Sequence, residues 1–371
     1  MDYLSEAGLQ SIKHHQYVPG CYTPLDNLLN PWWFWATERL PMWMAPNLVT
    51  LIGTMHLGAI YVLIWRTEDQ PEPWLMGVCA WCLFVYQTLD AMDGKQARRT
   101  GNSSPLGQLF DHGCDALGLL TFLSAITAVL GLDPTSRWAF AVQASSQTIF
   151  FLAQWTEFHT HVLPTALGPI GVTEIQYSLI VGSLLSCFLR EPVNALLVGP
   201  AMDDSALPMN LAIAVMLVLA NILSCLAFIL AVVNASETTN PTSAMLQLVT
   251  VLAVAVGSVF GFSEAAYTGH FRELSLATGL LLTHLTNKMI VFSMANQEFG
   301  GFLQQWIVLP YFAVMVATDY LDAEQLSLAI MGLLGAMVAN YVGWCGPTIL
   351  HISTTLEINI FRITPKKDKK A

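Results

Sequence analysis

The sequence predicts an all-α polytopic membrane protein with about ten transmembrane helices and an N-terminal amphipathic helix at the membrane surface. Of its 371 residues, 54% are hydrophobic and 11% are charged, whereas soluble domains carry about 25% charged residues. The mean hydropathy is +0.53, and many apolar runs approach the roughly 20 residues with which a helix crosses a bilayer. The net charge of −11 comes without a large basic patch, which argues against nucleic-acid binding.

An aromatic stretch, LDNLLNPWWFWATERLPMW, precedes the first long apolar run. Tryptophans such as Trp32, Trp33 and Trp35 are typical of the membrane interface. We therefore predict a helix that lies on the membrane surface. Asn30 is expected to cap this helix, with Pro31 at its first position.

Ten apolar segments follow and are predicted to cross the membrane. Their approximate ranges are 47–66, 73–93, 106–131, 137–158, 174–190, 208–233, 244–265, 273–293, 304–320 and 325–349. An even number of spans places both termini on one side. The basic residues Lys95, Arg98 and Arg99 follow the second span on that side, and the C-terminal tail is rich in lysine. The positive-inside rule therefore places the termini and this loop in the cytosol.

The C-terminal tail, TPKKDKKA, fits a dilysine-type retrieval signal of the endoplasmic reticulum through Lys367 and Lys369. The alternative is a basic tail that binds anionic lipids. The first interpretation predicts a protein of the early secretory membranes.

Four aspartates lie between the second and third spans, in DAMDGKQARRTGNSSPLGQLFDHGCD. Asp90 and Asp93 are three residues apart and share a helix face. Asp111 and Asp115 are four residues apart and share a face of the next helix. Ser104 is expected to cap that second helix. Because the linker KQARRTGNS is short, the two helices should be antiparallel neighbours whose carboxylates converge.

Such a cluster of carboxylates at a membrane requires positive charge. One aspartate at the centre of a membrane helix costs about 2.5–3.5 kcal/mol, and neighbouring carboxylates repel each other. Two divalent cations would balance four negative charges, and carboxylate oxygens match Mg²⁺ or Mn²⁺. Two such ions about 4 Å apart are a common arrangement for displacement at phosphorus. The pattern therefore predicts a two-ion site.

Small residues accompany the aspartates. Gly94, Ala97 and Gly107 would let a bulky planar group approach the helix backbones. Arg98, one turn after Gly94, could hold phosphate oxygens with two parallel hydrogen bonds. These four residues are therefore candidates for binding a nucleotide.

A solvated loop at a helix boundary is the alternative explanation for the polar residues. It accounts well for Lys95, Arg99 and Asn102. It accounts poorly for Asp111 and Asp115, because the apolar run continues directly after them.

The stretch reads D-x-x-D-G-x-x-A-R-x8-G-x-x-x-D-x-x-x-D and resembles the signature of the CDP-alcohol phosphotransferase family at every position. The resemblance implies that the aspartates bind metal and that Gly94, Ala97, Arg98 and Gly107 bind the nucleotide. The segments MAPNLVTLIG, SPLGQLFDHGCDAL, VTEIQ, TNKMIVFSM and INIFRI resemble the eukaryotic choline/ethanolamine phosphotransferase branch. In that branch, about ten spans and a homodimer are expected.

The resemblance also implies roles for two further residues. Asn47 matches a nucleotide-contacting asparagine of the APN segment. His112 is a candidate general base, with Asp115 as a metal ligand; the reverse assignment, with Asp115 as the base, remains open. An aspartate that binds two cations has a depressed pKa and is a poor proton acceptor, which favours His112.

The implied reaction joins phosphocholine or phosphoethanolamine, from CDP-choline or CDP-ethanolamine, to diacylglycerol, with release of CMP. The expected location is the endoplasmic reticulum or Golgi membrane, with the active site facing the cytosol. The expected parts are a cytosolic N-terminus with the interfacial helix, a six-helix catalytic half, C-terminal helices with a possible role in dimerisation, and a basic tail. Their ranges are 1–46, 47–233, 234–350 and 351–371.

Three residues at the ends of spans four and five are candidates for binding the cationic head group: Trp155, Glu157 and Glu174. Quaternary ammonium groups favour aromatic faces and carboxylates; the alternative is that these are ordinary interface residues. Two other functions remain open. One is transfer to another acceptor, such as inositol or glycerol phosphate. The other is ion-coupled transport, although a transporter would more typically show inverted repeats, and the sequence has one polar cluster.

Overall fold

The computed structural model describes residues 4–15, 20, 22–67, 72–168, 170–190, 208–235, 240–300 and 305–363. These residues form twelve α-helices and one short β-hairpin. In chain order the helices are α1 (Glu6–His14), α2 (Pro24–Thr37), α3 (Pro46–Arg66), α4 (Pro73–Thr100), α5 (Pro105–Leu130), α6 (Arg137–Thr160), α7 (Val172–Leu189), α8 (Met209–Asn234), α9 (Pro241–Phe260), α10 (Glu264–Met294), α11 (Val308–Ala317) and α12 (Ala323–Leu356). Between α6 and α7, β1 (Ala166–Leu167) pairs antiparallel with β2 (Ile170–Gly171). The lysine-rich end, residues 364–371, lies outside the described residues.

Seven helices within the described ranges are long and apolar enough to cross a membrane, judged by length and composition: α3, α4, α5, α7, α8, α9 and α12. This confirms an all-α polytopic membrane protein. Each of the ten predicted spans coincides with one helix. The other three helices that coincide with predicted spans are α6, α10 and α11. Helix α11 has only 10 residues, and α6 and α10 are too polar to be counted as spans by the same measure.

The polar residues of α6 and α10 face each other inside the bundle. The amide nitrogen of Gln143 donates to the Ser275 carbonyl at 2.8 Å. The amide nitrogen of Gln147, on the same face of α6, donates to the Gly279 carbonyl at 3.1 Å. Because these two side chains bond to main-chain carbonyls of α10, they reduce the hydropathy of α6 without exposing polar groups to lipid.

The surface helix α2 begins earlier than predicted. Thr23 caps it, since the Asp26 main-chain nitrogen donates to the Thr23 hydroxyl at 3.1 Å and the Thr23 nitrogen donates to the Asp26 carboxylate at 2.8 Å. The prediction that Asn30 caps the helix, with Pro31 at its first position, is wrong. Pro31 lies inside the helix. The reciprocal pair at the N-terminus stabilises an earlier start, although the proline removes one helical hydrogen bond.

Two side chains at the end of α4 bind the C-terminal end of α2 and the loop after it. The Arg99 guanidinium donates to the main-chain carbonyls of Thr37, Glu38 and Leu40, at 3.1, 3.1 and 2.8 Å. The Gln96 amide, which is fully buried, donates to the carbonyls of Pro41 and Met44, at 3.0 and 3.1 Å. The predicted linker after the second span is therefore mostly helix, and Arg99 attaches the surface helix to α4 instead of lying in a solvated loop.

The first helices of the membrane bundle are arranged around α3, which packs against both α4 and α5. Helix α10 packs against α5, α6 and α12. It also bonds directly to α5, because the Thr283 hydroxyl donates to the Ala116 carbonyl at 3.0 Å. Helix α3 therefore supports both helices that carry the aspartates, and α10 supports α5.

Candidate active site

A tight connection brings the two aspartate-bearing helices together. Helix α4 ends at Thr100, and Gly101 follows with φ of 67°, a left-handed conformation that favours glycine at a helix end. Helix α5 begins after Ser104, whose hydroxyl accepts from the Gly107 nitrogen at 3.1 Å. The prediction of Ser104 as the cap is confirmed. Because the residues between the helices are few, the C-terminal turns of α4 lie close to the first turns of α5.

Three of the aspartates form one cluster. Asp90, Asp93 and Asp111 each offer a carboxylate oxygen, and these oxygens all lie within 4.8 Å of one another. Asp115 lies beside Asp90. The structure therefore brings together both pairs of aspartates that the helical spacing placed on common faces.

Neighbouring hydroxyl groups orient the aspartates. The Thr50 hydroxyl of α3 donates to the Asp93 carboxylate at 2.5 Å. The Tyr86 hydroxyl of α4 donates to the Asp115 carboxylate. These two bonds hold the carboxylates of Asp93 and Asp115 in position beside the cluster.

The cluster has the properties of a site for a divalent cation. One carboxylate oxygen of Asp90 is buried without a hydrogen-bond partner among the described residues. Among the residues that the structure describes, no Lys or Arg forms an ion pair with the four aspartates. The basic group nearest to them is His112, whose Nε2 lies 3.9 Å from an Asp111 oxygen. Converging hard oxygen ligands without a basic partner fit Mg²⁺ or Mn²⁺. These residues could therefore hold the predicted metal.

The residues predicted to bind the nucleotide lie next to this cluster on α3, α4 and α5. Asn47 is buried, and its side-chain oxygen lies 3.8 Å from the place that a Cβ on Gly107 would take. The Arg98 guanidinium is 3.6 Å from the corresponding place at Gly94. Arg98 itself is exposed and Ala97 is half-buried. The Asn47 side chain therefore lies next to Gly107, and the Arg98 side chain lies next to Gly94.

His112 is on the face of α5 that is turned toward α6. It is buried and lies beside Gln154 of α6. One turn earlier on α5, the Gln108 amide donates to the Glu157 carboxylate at 3.0 Å. Both helices thus continue the site from the aspartates, through His112, to Glu157.

The three head-group candidates do not come together. Glu157 is buried next to Gln108. Trp155 is fully buried in the main hydrophobic cluster, where its indole N–H donates to the Gln247 amide oxygen at 2.9 Å. Glu174 accepts from the Gly171 nitrogen at 2.7 Å and caps α7. Head-group binding by Trp155 and Glu174 stays a prediction, whereas Glu157 is the candidate that adjoins the motif helices.

Four residues in contact with these groups were not singled out from the sequence: His15, Thr50, Tyr86 and Gln108. Helical spacing offers a signal for Thr50 and Tyr86, because they lie one turn from Asn47 and Asp90. Gln108 lies one turn from His112, but no local pattern distinguishes it from a surface residue.

Comparison with known proteins agrees with this geometry. The model of a family described as CDP-alcohol phosphatidyltransferase matches residues 43–202, which include the whole aspartate motif, Asn47 and Glu157. Residues 43–202 are therefore similar to the CDP-alcohol phosphatidyltransferase family. In this segment the carboxylate cluster and the nucleotide candidates occupy the ends of α3, α4 and α5.

Curated proteins similar to this chain include several that are named cholinephosphotransferase 1. That of Mus musculus is 39% identical over 190 residues, or 50% of this chain and 47% of the relative. That of Homo sapiens is 40% identical over 192 residues, or 50% of this chain and 46% of the relative. The match thus spans about half the length of these relatives. That of Xenopus laevis is 27% identical over 400 residues, with 97% of this chain and 91% of the relative covered.

Proposed function

We propose that this protein transfers phosphocholine from CDP-choline to diacylglycerol, forming phosphatidylcholine and CMP. The carboxylate cluster of Asp90, Asp93 and Asp111, next to the candidate nucleotide positions, is the observation that carries the proposal. The name cholinephosphotransferase, borne by the relatives, favours choline as the head group. CDP-ethanolamine is proposed as a second donor substrate.

The donor is proposed to bind with its pyrophosphate at the aspartates. Mg²⁺ or Mn²⁺, as two ions held by the four aspartates, would supply the positive charge that the pyrophosphate and the developing negative charge require. Asn47 and Gly107 form the neighbouring surface for the nucleotide, and Arg98 holds phosphate oxygens. Catalysis then consists largely of positioning and charge neutralisation.

The chemical step is a displacement at phosphorus. The hydroxyl oxygen of diacylglycerol forms a bond to the phosphorus that carries choline. The bond between that phosphorus and the bridging oxygen of CMP breaks, and CMP leaves with the bonding electron pair. The hydroxyl proton passes to a base on the protein. Because diacylglycerol stays in the lipid phase, the acceptor enters from the bilayer between helices.

His112 is proposed as that base. It is buried next to the cluster, and its Nε2 lies 3.9 Å from Asp111. Asp115 has a different environment, because it accepts a hydrogen bond from Tyr86 and lies beside Asp90. Its carboxylate is therefore better suited to a metal ligand, and an imidazole is suited to accept a proton near neutral pH.

Glu157 is proposed to bind the cationic head group. Its carboxylate is buried, and within the described ranges it forms no ion pair with Lys or Arg. A buried carboxylate is costly without a compensating charge. The quaternary ammonium of choline would supply that charge when the donor is bound.

The cellular setting is proposed from the sequence. The positive-inside rule places the active site on the cytosolic face, and the dilysine-type tail favours the endoplasmic reticulum or Golgi membrane. A homodimer is proposed from the family resemblance.

The test is an assay of the purified protein in lipid nanodiscs with Mg²⁺ and diacylglycerol. CDP-choline and CDP-ethanolamine are supplied separately, and CMP and the lipid product are measured. We expect CMP and phosphatidylcholine in equal amounts, dependent on diacylglycerol. Asp93→Asn, which removes a carboxylate of the cluster, should abolish CMP release. If inositol or glycerol phosphate supported CMP release and diacylglycerol did not, the proposed acceptor would be wrong.

A further inference from the structure

A line of three hydrogen-bonding side chains connects the N-terminal segment to Glu157. His15, at the C-terminal end of α1, has its Nε2 at 2.8 Å from the side-chain oxygen of Gln108. The nitrogen of the same Gln108 amide is 3.0 Å from the Glu157 carboxylate. Gln108 and Glu157 are both buried. His15 precedes residues 43–202, so it lies outside the part of the chain that the family model matches.

The chemistry of the three groups sets the direction of both hydrogen bonds. An ionised carboxylate can only accept, so the Gln108 amide presents its NH₂ to Glu157. The amide oxygen then faces His15, which must donate from Nε2. The reverse amide orientation would place two acceptor oxygens against each other. His15 therefore fixes the orientation of Gln108, and Gln108 donates to Glu157.

The donors in this line orient the carboxylate without neutralising it. Burial lowers the pKa of His15 from its usual value of 6.5, more than the hydrogen bond with Gln108 raises it. His15 is therefore mainly neutral at pH 7, as the N–H tautomer at Nε2. Because Gln108 is also neutral, neither donor places a compensating positive charge beside Glu157.

Helix α1 holds His15 in place through contacts with the rest of the bundle. Ser5 caps the helix, since its hydroxyl accepts from the Gly8 nitrogen at 3.0 Å. The Ser5 main-chain nitrogen donates to the Gln297 side-chain oxygen at 3.1 Å. Leu9 and Ile12 are buried. Since α1 is docked on the segment after α10, His15 has a defined position relative to Gln108.

We propose that His15 is a positioning residue, which acts through Gln108 to direct the Glu157 carboxylate toward the cationic head group of the CDP-alcohol donor. The inference rests on the proposed function, in which Glu157 binds that head group. It gives α1 a role in donor recognition that the aspartate motif does not include.

The experiment compares head-group recognition with nucleotide recognition in the full-length protein. KM and kcat are measured for CDP-choline, and the inhibition constant is measured for CMP, which has no head group. Glu157→Gln, His15→Ala and His15→Gln are compared with wild type. His14→Ala is the matched control, because His14 is the exposed neighbour of His15.

We expect His15→Ala to raise the KM for CDP-choline by roughly 5- to 150-fold, the effect of leaving the buried Gln108 oxygen without its donor. The inhibition constant of CMP should change less than twofold. His15→Gln, which keeps a donor N–H, should recover most of the affinity, and His14→Ala should match wild type. Gln108→Leu interrupts the same series of hydrogen bonds and serves as a second test if His15→Ala does not fold. It is also expected to raise the KM for CDP-choline.

Three outcomes would overturn the inference. The first is an unchanged KM in both His15→Ala and Gln108→Leu, while Glu157→Gln raises it; the head-group role of Glu157 would then stand without His15. The second is a parallel loss of CDP-choline and CMP affinity, which would show a general structural effect. The third is an unchanged KM in Glu157→Gln, because this result would show that Glu157 does not bind the head group. Product formation by the wild-type protein would still support the proposed transfer reaction.

Discussion

Replacing Gly107 with alanine should separate the stability of α5 from nucleotide binding. A Cβ at this position would lie 3.6 Å from the Ser104 hydroxyl oxygen and 3.8 Å from the Asn47 side-chain oxygen. Both are ordinary van der Waals distances, so no protein atom has to move. Alanine is favoured over glycine in a helix by roughly 0.5–1 kcal/mol. The free energy of unfolding should therefore stay the same or rise.

The same methyl group should weaken binding of the donor substrate. It would project into the space between Asn47 and the aspartate cluster, where the nucleotide is proposed to approach the helix backbone. Inserting one methyl group into a close contact costs about 1–3 kcal/mol. Since about 1.4 kcal/mol corresponds to a tenfold change in affinity, CDP-choline should bind roughly 5- to 150-fold more weakly to Gly107→Ala.

Gly58→Ala is the matched control for this substitution. Gly58 is an exposed residue of α3, and a Cβ there would meet no atom within 4 Å. Thermal unfolding in detergent and inhibition by CMP are measured for both variants. Both should unfold at or above the wild-type temperature, and Gly107→Ala should be the variant that loses CMP affinity. Equal CMP affinity in the two variants would show that the nucleotide does not approach Gly107, and would refute the proposed binding surface.

Three further predictions concern the metal, the base and the attachment of α2. EDTA should abolish CMP release, and Mg²⁺ or Mn²⁺ should restore it. Full activity in excess chelator would contradict a metal site. His112→Ala should lower kcat by ~10²–10⁴-fold and keep its dependence on metal. Asp115→Asn should instead raise the metal concentration needed for the half-maximal rate. Near-wild-type turnover of His112→Ala would exclude His112 as the base. Gln96→Leu removes the donor to the Pro41 and Met44 carbonyls and should destabilise the fold by about 1–3 kcal/mol for each carbonyl left unsatisfied; an unchanged midpoint of denaturant unfolding would count against that role.

Local spacing was sufficient to predict the carboxylate cluster. Asp90 and Asp93, like Asp111 and Asp115, are separated by about one helical turn, and helix geometry alone places each pair on one face. Gly101 and Ser104 are standard signals for the end of one helix and the start of the next. These signals act over a few residues, so they can be recognised without knowledge of the tertiary structure.

The helix boundaries near the membrane surface were harder to predict. The polar residues after Asp93 indicate where the chain leaves the apolar region, but they do not end the helix, which continues to Thr100. At α2, both Thr23 and Asn30 precede a proline and are good capping residues. The reciprocal bonds between Thr23 and Asp26 favour the earlier start, and no simple propensity distinguishes the two.

The contacts of Trp155 and Glu157 depend on packing between helices. The two residues are only two positions apart on α6, but this spacing turns their side chains about 200° from each other around the helix axis. Glu157 therefore meets Gln108 of α5, whereas Trp155 meets Gln247 of α9. The sequence predicted that both residues lie near the end of a span, but it held no information on which helix each would face.

The part of the chain that carries the signature is smaller than the part that shapes the site. The family model ends at residue 202, yet α10, which comes after it in the chain, packs against α5. The Thr283 hydroxyl of α10 donates to the Ala116 carbonyl at 3.0 Å. The Asn287 side-chain oxygen lies 3.5 Å from the position that a Cβ on Gly113 would occupy. Metal ligands must keep their positions to within a fraction of an ångström. Because α5 carries two of the four aspartates and His112, a shift of α10 would move both the proposed metal ligands and the proposed base. The C-terminal half therefore contributes to the site through the position of α5, even though its sequence carries no part of the motif.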